Sequence, residues 1–179
     1  MPDMADRAIQ IRGSMNQTEK TDIKSLDLKE LTAFVESLGE KAFRAKQIYQ
    51  WLHGKQVTSF DEMSNISKTF IEKLKENSYL VNLKQEAVQI SKLDGTRKYL
   101  FLLEDGNVIE SVLMKYKHGN SVCISSQVGC RMGCRFCAST LDGLVRGLTA
   151  SEMLDQIYHI GRDIGERISN VVVMGTGEP

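Results

Sequence analysis

The chain has 179 residues, of which 41% are hydrophobic and 26% are charged, an ordinary composition for a soluble globular protein. Its formal net charge is zero, so the overall charge gives no argument for binding nucleic acid or a membrane surface. No apolar run approaches the roughly 20 residues that a membrane-spanning helix needs, and the opening residues lack the apolar core of a signal peptide. We therefore expect a cytoplasmic protein that does not act on a membrane.

The amino-terminal part is predicted to be a polar tail followed by a small helical domain. Residues 1–22 are polar and show no apolar periodicity, which predicts a disordered tail. Asp27 is a candidate N-cap for a first helix, and Gly39 is a candidate stop. Apolar residues recur at helical spacing in three runs, over about residues 28–38, 43–54 and 67–77. These runs predict a helical domain over residues 23–80.

Basic residues are concentrated between residues 41 and 98, where eleven Lys and Arg face six Asp and Glu. Basic side chains can contact the phosphates of a nucleic acid. Lysines scattered over helices are about as often a solvated surface with no ligand. The local charge therefore leaves both interpretations open.

β-structure is predicted after the helices. Short apolar runs flank Asp105, Gly106 and Asn107, a combination typical of a hairpin turn. We expect a short antiparallel segment over residues 81–117. From residue 118 onward the pattern changes to a strand, a cysteine-bearing loop, a helix and a second apolar run, an order typical of parallel α/β folds.

The helix of this last part has clear predicted boundaries. Thr149 and Glu152 fit a capping box, and an apolar stripe follows at Met153, Leu154, Ile157, Ile160 and Ile164. The second apolar run then ends in a glycine-rich turn, residues 175–178. Ligands of α/β folds bind at the carboxyl ends of strands, so this turn and the cysteine loop should face one site.

Three cysteines in that loop, Cys130, Cys134 and Cys137, have the spacing C-x3-C-x2-C. Clustered thiols in a reducing compartment indicate metal or redox chemistry rather than structural disulfides. A 4Fe–4S cluster held by only three thiolates keeps one iron free to bind a substrate. Structural zinc is the alternative, with Cys123 as the fourth thiolate. The spacing favours the cluster and does not exclude zinc.

The cysteine spacing resembles the signature of the radical S-adenosylmethionine (SAM) superfamily, in which the open iron binds SAM and an aromatic residue, here Phe136, often precedes the third cysteine. A longer stretch carries a more specific resemblance. The run VIESVLMKYKHGNSVCISSQVGCRMGCRFCASTLDGLVRGLTASEMLDQI, the ending VVVMGTGEP and the earlier FRAKQIYQWLH and TRKYLFLLEDG closely resemble the dual-specificity adenine-C2 methyltransferases of 23S ribosomal RNA and transfer RNA. The resemblance covers about residues 25–179.

This resemblance implies an α/β fold in three parts. They are an amino-terminal helical RNA-binding accessory domain, an antiparallel connecting segment and, over residues 118–179, the start of a radical SAM partial (β/α)6 barrel, truncated after its second strand. It also implies a 4Fe–4S cluster and SAM as cofactors, 23S ribosomal RNA and transfer RNA as substrates, and a reducing partner such as flavodoxin. Two alternatives stay open: the C8-methylating relative of the same superfamily, which the motifs alone do not exclude, and a zinc-binding RNA-interaction module.

Residue roles follow from the resemblance, position by position. They are cluster binding for Cys130, Cys134 and Cys137, SAM binding for Gly177 and Glu178, proton acceptance for Glu110 and a resolving thiol for Cys123. In the family, a methyl-cysteine intermediate delivers the carbon to adenine, and the resolving thiol releases the product by forming a transient disulfide. No cysteine follows Cys137. We therefore expect the chain to be a fragment that lacks the methyl-carrying cysteine and is inactive alone.

Overall fold

The computed structural model describes residues 20–178. They form two compact units that meet in sequence between Leu80 and Val81. Of the tail predicted over residues 1–22, residues 1–19 lie outside the described part of the chain. Thr21 and Asp22 form a short strand, where the sequence predicted disorder. None of the helices in the described part is long and apolar enough to cross a membrane.

The first unit is helical, with its three helices at the predicted positions. They are α1 (Leu28–Ser37), α2 (Phe43–Tyr49) and α3 (Lys68–Asn77), and strand β1 (Thr21–Asp22) pairs in parallel with β2 (Ser78–Tyr79). The second predicted helix finishes as a π-helical turn, Gln50–Gly54. The apolar sides of these helices share one core, in which Leu31, Ile48 and Leu74 are completely buried.

The predicted N-cap of α1 is confirmed. The Asp27 side chain accepts a hydrogen bond from the Glu30 N–H at 2.7 Å, and the Glu30 carboxylate accepts one from the Asp27 N–H at 2.9 Å. This reciprocal pair satisfies two N–H groups that the first turn of a helix otherwise leaves without partners.

A mixed five-stranded sheet forms the second unit, in the order β3–β4–β5–β6–β9. Four strands are successive and antiparallel, β3 (Lys84–Ile90), β4 (Arg97–Leu102), β5 (Val108–Tyr116) and β6 (Gly119–Cys123). The fifth, β9 (Ile168–Val172), pairs in parallel with β6 after helix α4 (Ala150–Ile164). A separate hairpin, β7 (Gln127–Gly129) and β8 (Leu144–Gly147), carries the cysteine loop.

The predicted hairpin and the predicted parallel pair both occur, but they share one sheet. The β4–β5 turn contains Asp105, whose carboxylate accepts the Asn107 N–H at 3.0 Å. Strand β6 pairs with β5 on one side and with β9 on the other. The predicted antiparallel segment, residues 81–117, and the predicted α/β part, from residue 118 onward, are therefore joined in one sheet by β6.

Helix α4 covers one face of the sheet, and its contact face is more polar than predicted. Its capping box is confirmed, since Thr149 Oγ1 accepts the Glu152 N–H at 3.3 Å and Glu152 Oε2 accepts the Thr149 N–H at 2.9 Å. Ile160 is buried as expected, but Asp155 and Gln156 are completely buried too. Asp155 Oδ2 accepts the Leu83 N–H at 2.7 Å, so its burial is compensated by a hydrogen bond.

Tyr99 is completely buried, and its hydroxyl donates to Asp163 Oδ2 at 2.6 Å. Burial, helped by this bond, raises the pKa of Tyr99 to about 12. The unfolded value is about 10, so the stabilisation is fully present below pH 10 and is lost as the pH rises through about 12. A titration followed by phenolate absorbance should show this late step, and Tyr99→Phe should abolish it. A titration unchanged by Tyr99→Phe would contradict the assignment.

Candidate active site

A cavity of about 430 Å³ lies between the cysteine loop and the end of β9. Its lining includes the three cysteines of the C-x3-C-x2-C motif together with the glycine-rich turn: Cys130, Cys134, Cys137, Gly177 and Glu178. The two segments that the α/β topology predicted to face one site do share a cavity. Five of the seven candidate site residues therefore meet in one place.

The cysteine loop is held at its ends and is open at its tip. At the base, the Cys130 N–H donates to the Gly143 carbonyl at 3.0 Å, and Cys130 is 7% exposed. Within the loop, the Cys137 N–H donates to the Cys134 carbonyl at 3.0 Å, and Thr140 Oγ1 donates to the Cys137 carbonyl at 2.9 Å. All the cysteines are free thiols.

The donor set suits a cluster better than a single ion. Structural zinc needs its four ligands around a single atom. In a 4Fe–4S cluster each thiolate binds a different iron, so three cysteines spaced around a cavity fit that larger group. Cys123, the fourth ligand of the zinc alternative, does not line the cavity.

The glycines of the 175–178 turn are required by the neighbouring chain segment. A Cβ on Gly175 would lie 2.7 Å from backbone atoms of Ile124 and Ser125. Gly177 has a φ of +108°, and a Cβ there would lie 2.5 Å from the Cβ of Gln127. Glycines in a turn at a strand end can let the backbone approach a ligand closely. In the structure their bare sides face residues 124–127 instead.

Glu110 and Cys123, the two remaining candidates, lie on the sheet outside this cavity. Val112 is directly opposite Cys123 in the β5–β6 pair, so Cys123, Val112 and Glu110 share the face opposite α4. Glu110 and Cys123 are diagonal neighbours across the pair, an arrangement that separates residues by about 7–8 Å. Glu110 is exposed, and Lys98 Nζ donates to its Oε1 at 3.2 Å.

A buried polar network, which sequence reasoning missed, fixes the segment that leads from β6 to the cysteines. Gln156 Oε1 accepts from the Ser111 hydroxyl at 2.7 Å and from the Ser125 N–H at 2.9 Å. Gln156 Nε2 donates to the Ser125 carbonyl at 3.0 Å. The one available signal was the polar run Ser125-Ser126-Gln127, directly after a buried strand, where α/β folds place ligand sites.

Arg146 on β8 fastens the base of the cysteine loop to two other elements. Its Nη1 and Nη2 donate to the two carboxylate oxygens of Glu152 at 2.8 Å each, and its Nε donates to Asp105 Oδ2 at 2.6 Å. The pKa of Arg146 is raised mainly by its hydrogen bonds to Glu152, and also by the one to Asp105. The planar fork of Arg suits this two-oxygen contact.

Comparisons with known proteins find similarity over both units. The family model described as "Ribosomal RNA large subunit methyltransferase N-terminal domain" matches residues 21–80. A probable dual-specificity RNA methyltransferase RlmN of Lachnospira eligens is 67% identical over 159 residues, which are 89% of this chain and 45% of the relative. One of the same name from Lachnoclostridium phytofermentans is 64% identical over 162 residues, 90% of this chain and 46% of the relative.

The chain is similar over most of its length to these dual-specificity RNA methyltransferases. The resemblance seen in the sequence is thereby confirmed, and the chain spans about half the length of the curated relatives it matches. Among solved structures, a radical SAM methyltransferase from Sphaerobacter thermophilus matches with a TM-score of 0.81 and 37% identity, over 89% of this chain and 48% of that one. This chain therefore has a mixed α/β fold that matches about half of that structure.

Proposed function

We propose that the second unit holds the 4Fe–4S cluster and SAM of a radical SAM RNA methyltransferase. One observation carries the proposal: Cys130, Cys134 and Cys137 line a single cavity with Gly177 and Glu178, and Cys123 lies outside it. A cluster held there by the three cysteines would supply the electron for reductive cleavage of SAM. The β6–α4–β9 unit is then the beginning of a partial (β/α)6 barrel, with its ligands at the carboxyl ends of the strands.

The residues that line this cavity have different proposed roles. The three cysteines would hold the cluster as thiolates, a set that leaves one of its irons without a protein ligand. Glu178 is an exposed residue of the cavity lining, where its carboxylate and the peptide groups of the turn can accept hydrogen bonds from the ammonium group of SAM. Gly177 keeps this turn against Gln127.

The substrate proposed is an adenosine of 23S ribosomal RNA and of transfer RNA, methylated at C2 through a methyl-cysteine intermediate. Support comes from the curated relatives, which are named dual-specificity RNA methyltransferases. Adenine C2 is electrophilic and has no lone pair, so an ordinary methyl cation donor does not react there and a carbon radical is needed. A reducing partner such as flavodoxin completes the proposal.

Cys123 and Glu110 fit the release of the methylated base. Thiolate attack by Cys123 on the sulfur of the methyl-carrying cysteine would form the transient disulfide and break the sulfur–carbon bond that joins that cysteine to the base. Glu110 would accept the proton that leaves the base. Their position as diagonal neighbours on one sheet face supports a shared step. Lys98 lies beside Glu110 at 3.2 Å and orients its carboxylate on that face.

The first unit is proposed to be the accessory domain that contacts RNA. Its family model is that of a ribosomal RNA methyltransferase amino-terminal domain. The surface of α2 and of the π-helical turn combines cations with aromatic rings, since Arg44 lies 5.0 Å from the centroid of Phe43 and Lys55 Nζ lies 3.5 Å from that of Trp51. Phe43 is 52% exposed, and such pairs suit phosphates and bases together.

The metal content of the anaerobically reconstituted chain tests the proposal. Iron and acid-labile sulfide should be retained in Cys123→Ala, which serves as the matched control, and should be lost almost completely in Cys134→Ala. The reason is that Cys134 lines the cavity and Cys123 does not. Stoichiometric zinc that disappears in both variants would contradict the cluster and favour a structural metal module.

A further inference from the structure

The segment between β6 and the first cysteine of the motif lies directly against the glycine-rich turn. The Gly175 N–H donates to the Ile124 carbonyl at 2.9 Å. The Ser126 and Gln127 N–H groups both donate to the Thr176 carbonyl, at 3.0 and 3.1 Å. These backbone bonds bring the two segments together, but they do not reach Gly177 or Glu178.

Ser125 adds a side-chain bond that joins two parts of the site. Its hydroxyl accepts the Thr176 N–H at 2.9 Å and donates to the Glu110 carbonyl at 2.7 Å. Ser125 is completely buried, and Gln156 holds both its N–H and its carbonyl. The hydroxyl therefore cannot move without breaking bonds to a fixed backbone.

Gln127 holds the last residue of the turn at two points. Its Nε2 donates to the Glu178 carbonyl and its Oε1 accepts the Glu178 N–H, both at 3.1 Å. The side chain thus takes the place of a neighbouring strand and satisfies both backbone groups of Glu178. Gln127 is 8% exposed and belongs to β7, the strand that leads to Cys130.

We propose that Ser125 and Gln127 form a turn clamp, a pair of positioning residues that sets the turn for SAM binding relative to the cysteine loop. This inference rests on the proposed function, because it takes Gly177 and Glu178 as the SAM-binding residues. The clamp works through backbone groups of Thr176 and Glu178, so neither clamp residue needs to touch SAM. It also links the turn to Glu110 through one hydroxyl, which fixes the turn relative to strand β5.

The segment contains its own control, Ser126. Its hydroxyl is buried between the two clamp residues and has no hydrogen-bond partner among the described residues. Ser126→Ala removes the same atom from the same segment as Ser125→Ala, but it removes no bond. Gln127→Met keeps the methylene groups that pack on Gly177 and removes the amide that holds Glu178.

Amide hydrogen exchange of the cluster-free chain tests the clamp without any cofactor. Ser125→Ala should accelerate exchange of the Thr176 amide by about tenfold, and Gln127→Met should do so for the Glu178 amide, because each of these N–H groups loses its acceptor. Ser126→Ala should leave both rates unchanged. General destabilisation would instead accelerate exchange throughout the second unit, and that result would overturn the clamp.

A second experiment tests whether the clamp supports SAM binding. It measures SAM binding to the reconstituted chain by equilibrium dialysis at equal iron content. Both clamp variants should bind SAM at least about tenfold more weakly than the unmodified chain, because a turn that is not held must be ordered on binding. Ser126→Ala should bind normally. Equal affinity in all the variants would overturn the clamp while leaving the proposed function intact. Absence of SAM binding by the iron-loaded unmodified chain would overturn the proposed function itself.

Discussion

Replacing Gly129 by alanine should destabilise the base of the cysteine loop by about 2–4 kcal/mol, from the left-handed backbone and overpacking together. Gly129 has a φ of +71°, and a Cβ there would collide with the carbonyl oxygen of Gly143. That oxygen accepts the Cys130 N–H, so relieving the collision also weakens the bond that closes the loop. We expect faster exchange of the Cys130 amide and reduced iron retention after reconstitution.

Gly133 provides the matched control for this change. Its φ of +67° is nearly the same, but nothing lies within 4 Å of a Cβ built there. Gly133→Ala should therefore cost only the backbone strain, about 1 kcal/mol. Equal losses in the two variants would show that backbone conformation alone, and not contact with Gly143, makes Gly129 necessary.

The second large effect is expected for Gln156→Leu, which should lower the free energy of unfolding of the second unit by about 3–6 kcal/mol. The substitution leaves the Ser111 hydroxyl and the Ser125 N–H and carbonyl without their partner. These groups are buried, so each loses a protein hydrogen bond without gaining one to water. Amide exchange in β5 and β6 measures the loss.

Two further measurements separate this explanation from a simple loss of volume. Trp51 is the chain's single tryptophan and lies in the first unit, so its fluorescence should report an unchanged unfolding transition there. In a Ser111→Ala background, Gln156→Leu should cost about 1 kcal/mol less, because one of the stranded groups has been removed. Strictly additive costs would contradict a shared network.

Periodicity predicted the elements of this fold well, because it reports which side of a helix or strand is apolar. The three helices of the first unit, the hairpin at Asp105 and the helix that starts after Thr149 all occur where they were expected. Periodicity does not report which strands become neighbours. That β6 joins the antiparallel strands to β9 depends on tertiary pairing, and the sequence gives no direct sign of it.

The candidate site was predictable in its cysteines and its glycine-rich turn, since spacing and glycine content are visible in the sequence. The polar residues that support it were not. Ser125, Gln127 and Gln156 belong to types that are usually exposed, and their burial depends on partners brought together from distant segments. The glycines were recognised, but their contact with residues 124–127 could be seen only in the structure.

Because Glu110 and Cys123 share one face of the sheet, residues cannot be inserted equally well into every turn between its strands. Strand β6 presents Val122 to α4 and Cys123 to the opposite face, and only two residues separate it from β5. Any longer turn must keep Val112 opposite Cys123, because a shift of register by one residue would turn the thiol to the α4 face. The β3–β4 connection carries none of the candidate site residues, and Leu93 in it is 99% exposed. Tags or added loops are therefore best introduced at Leu93, where they leave the thiol on its face.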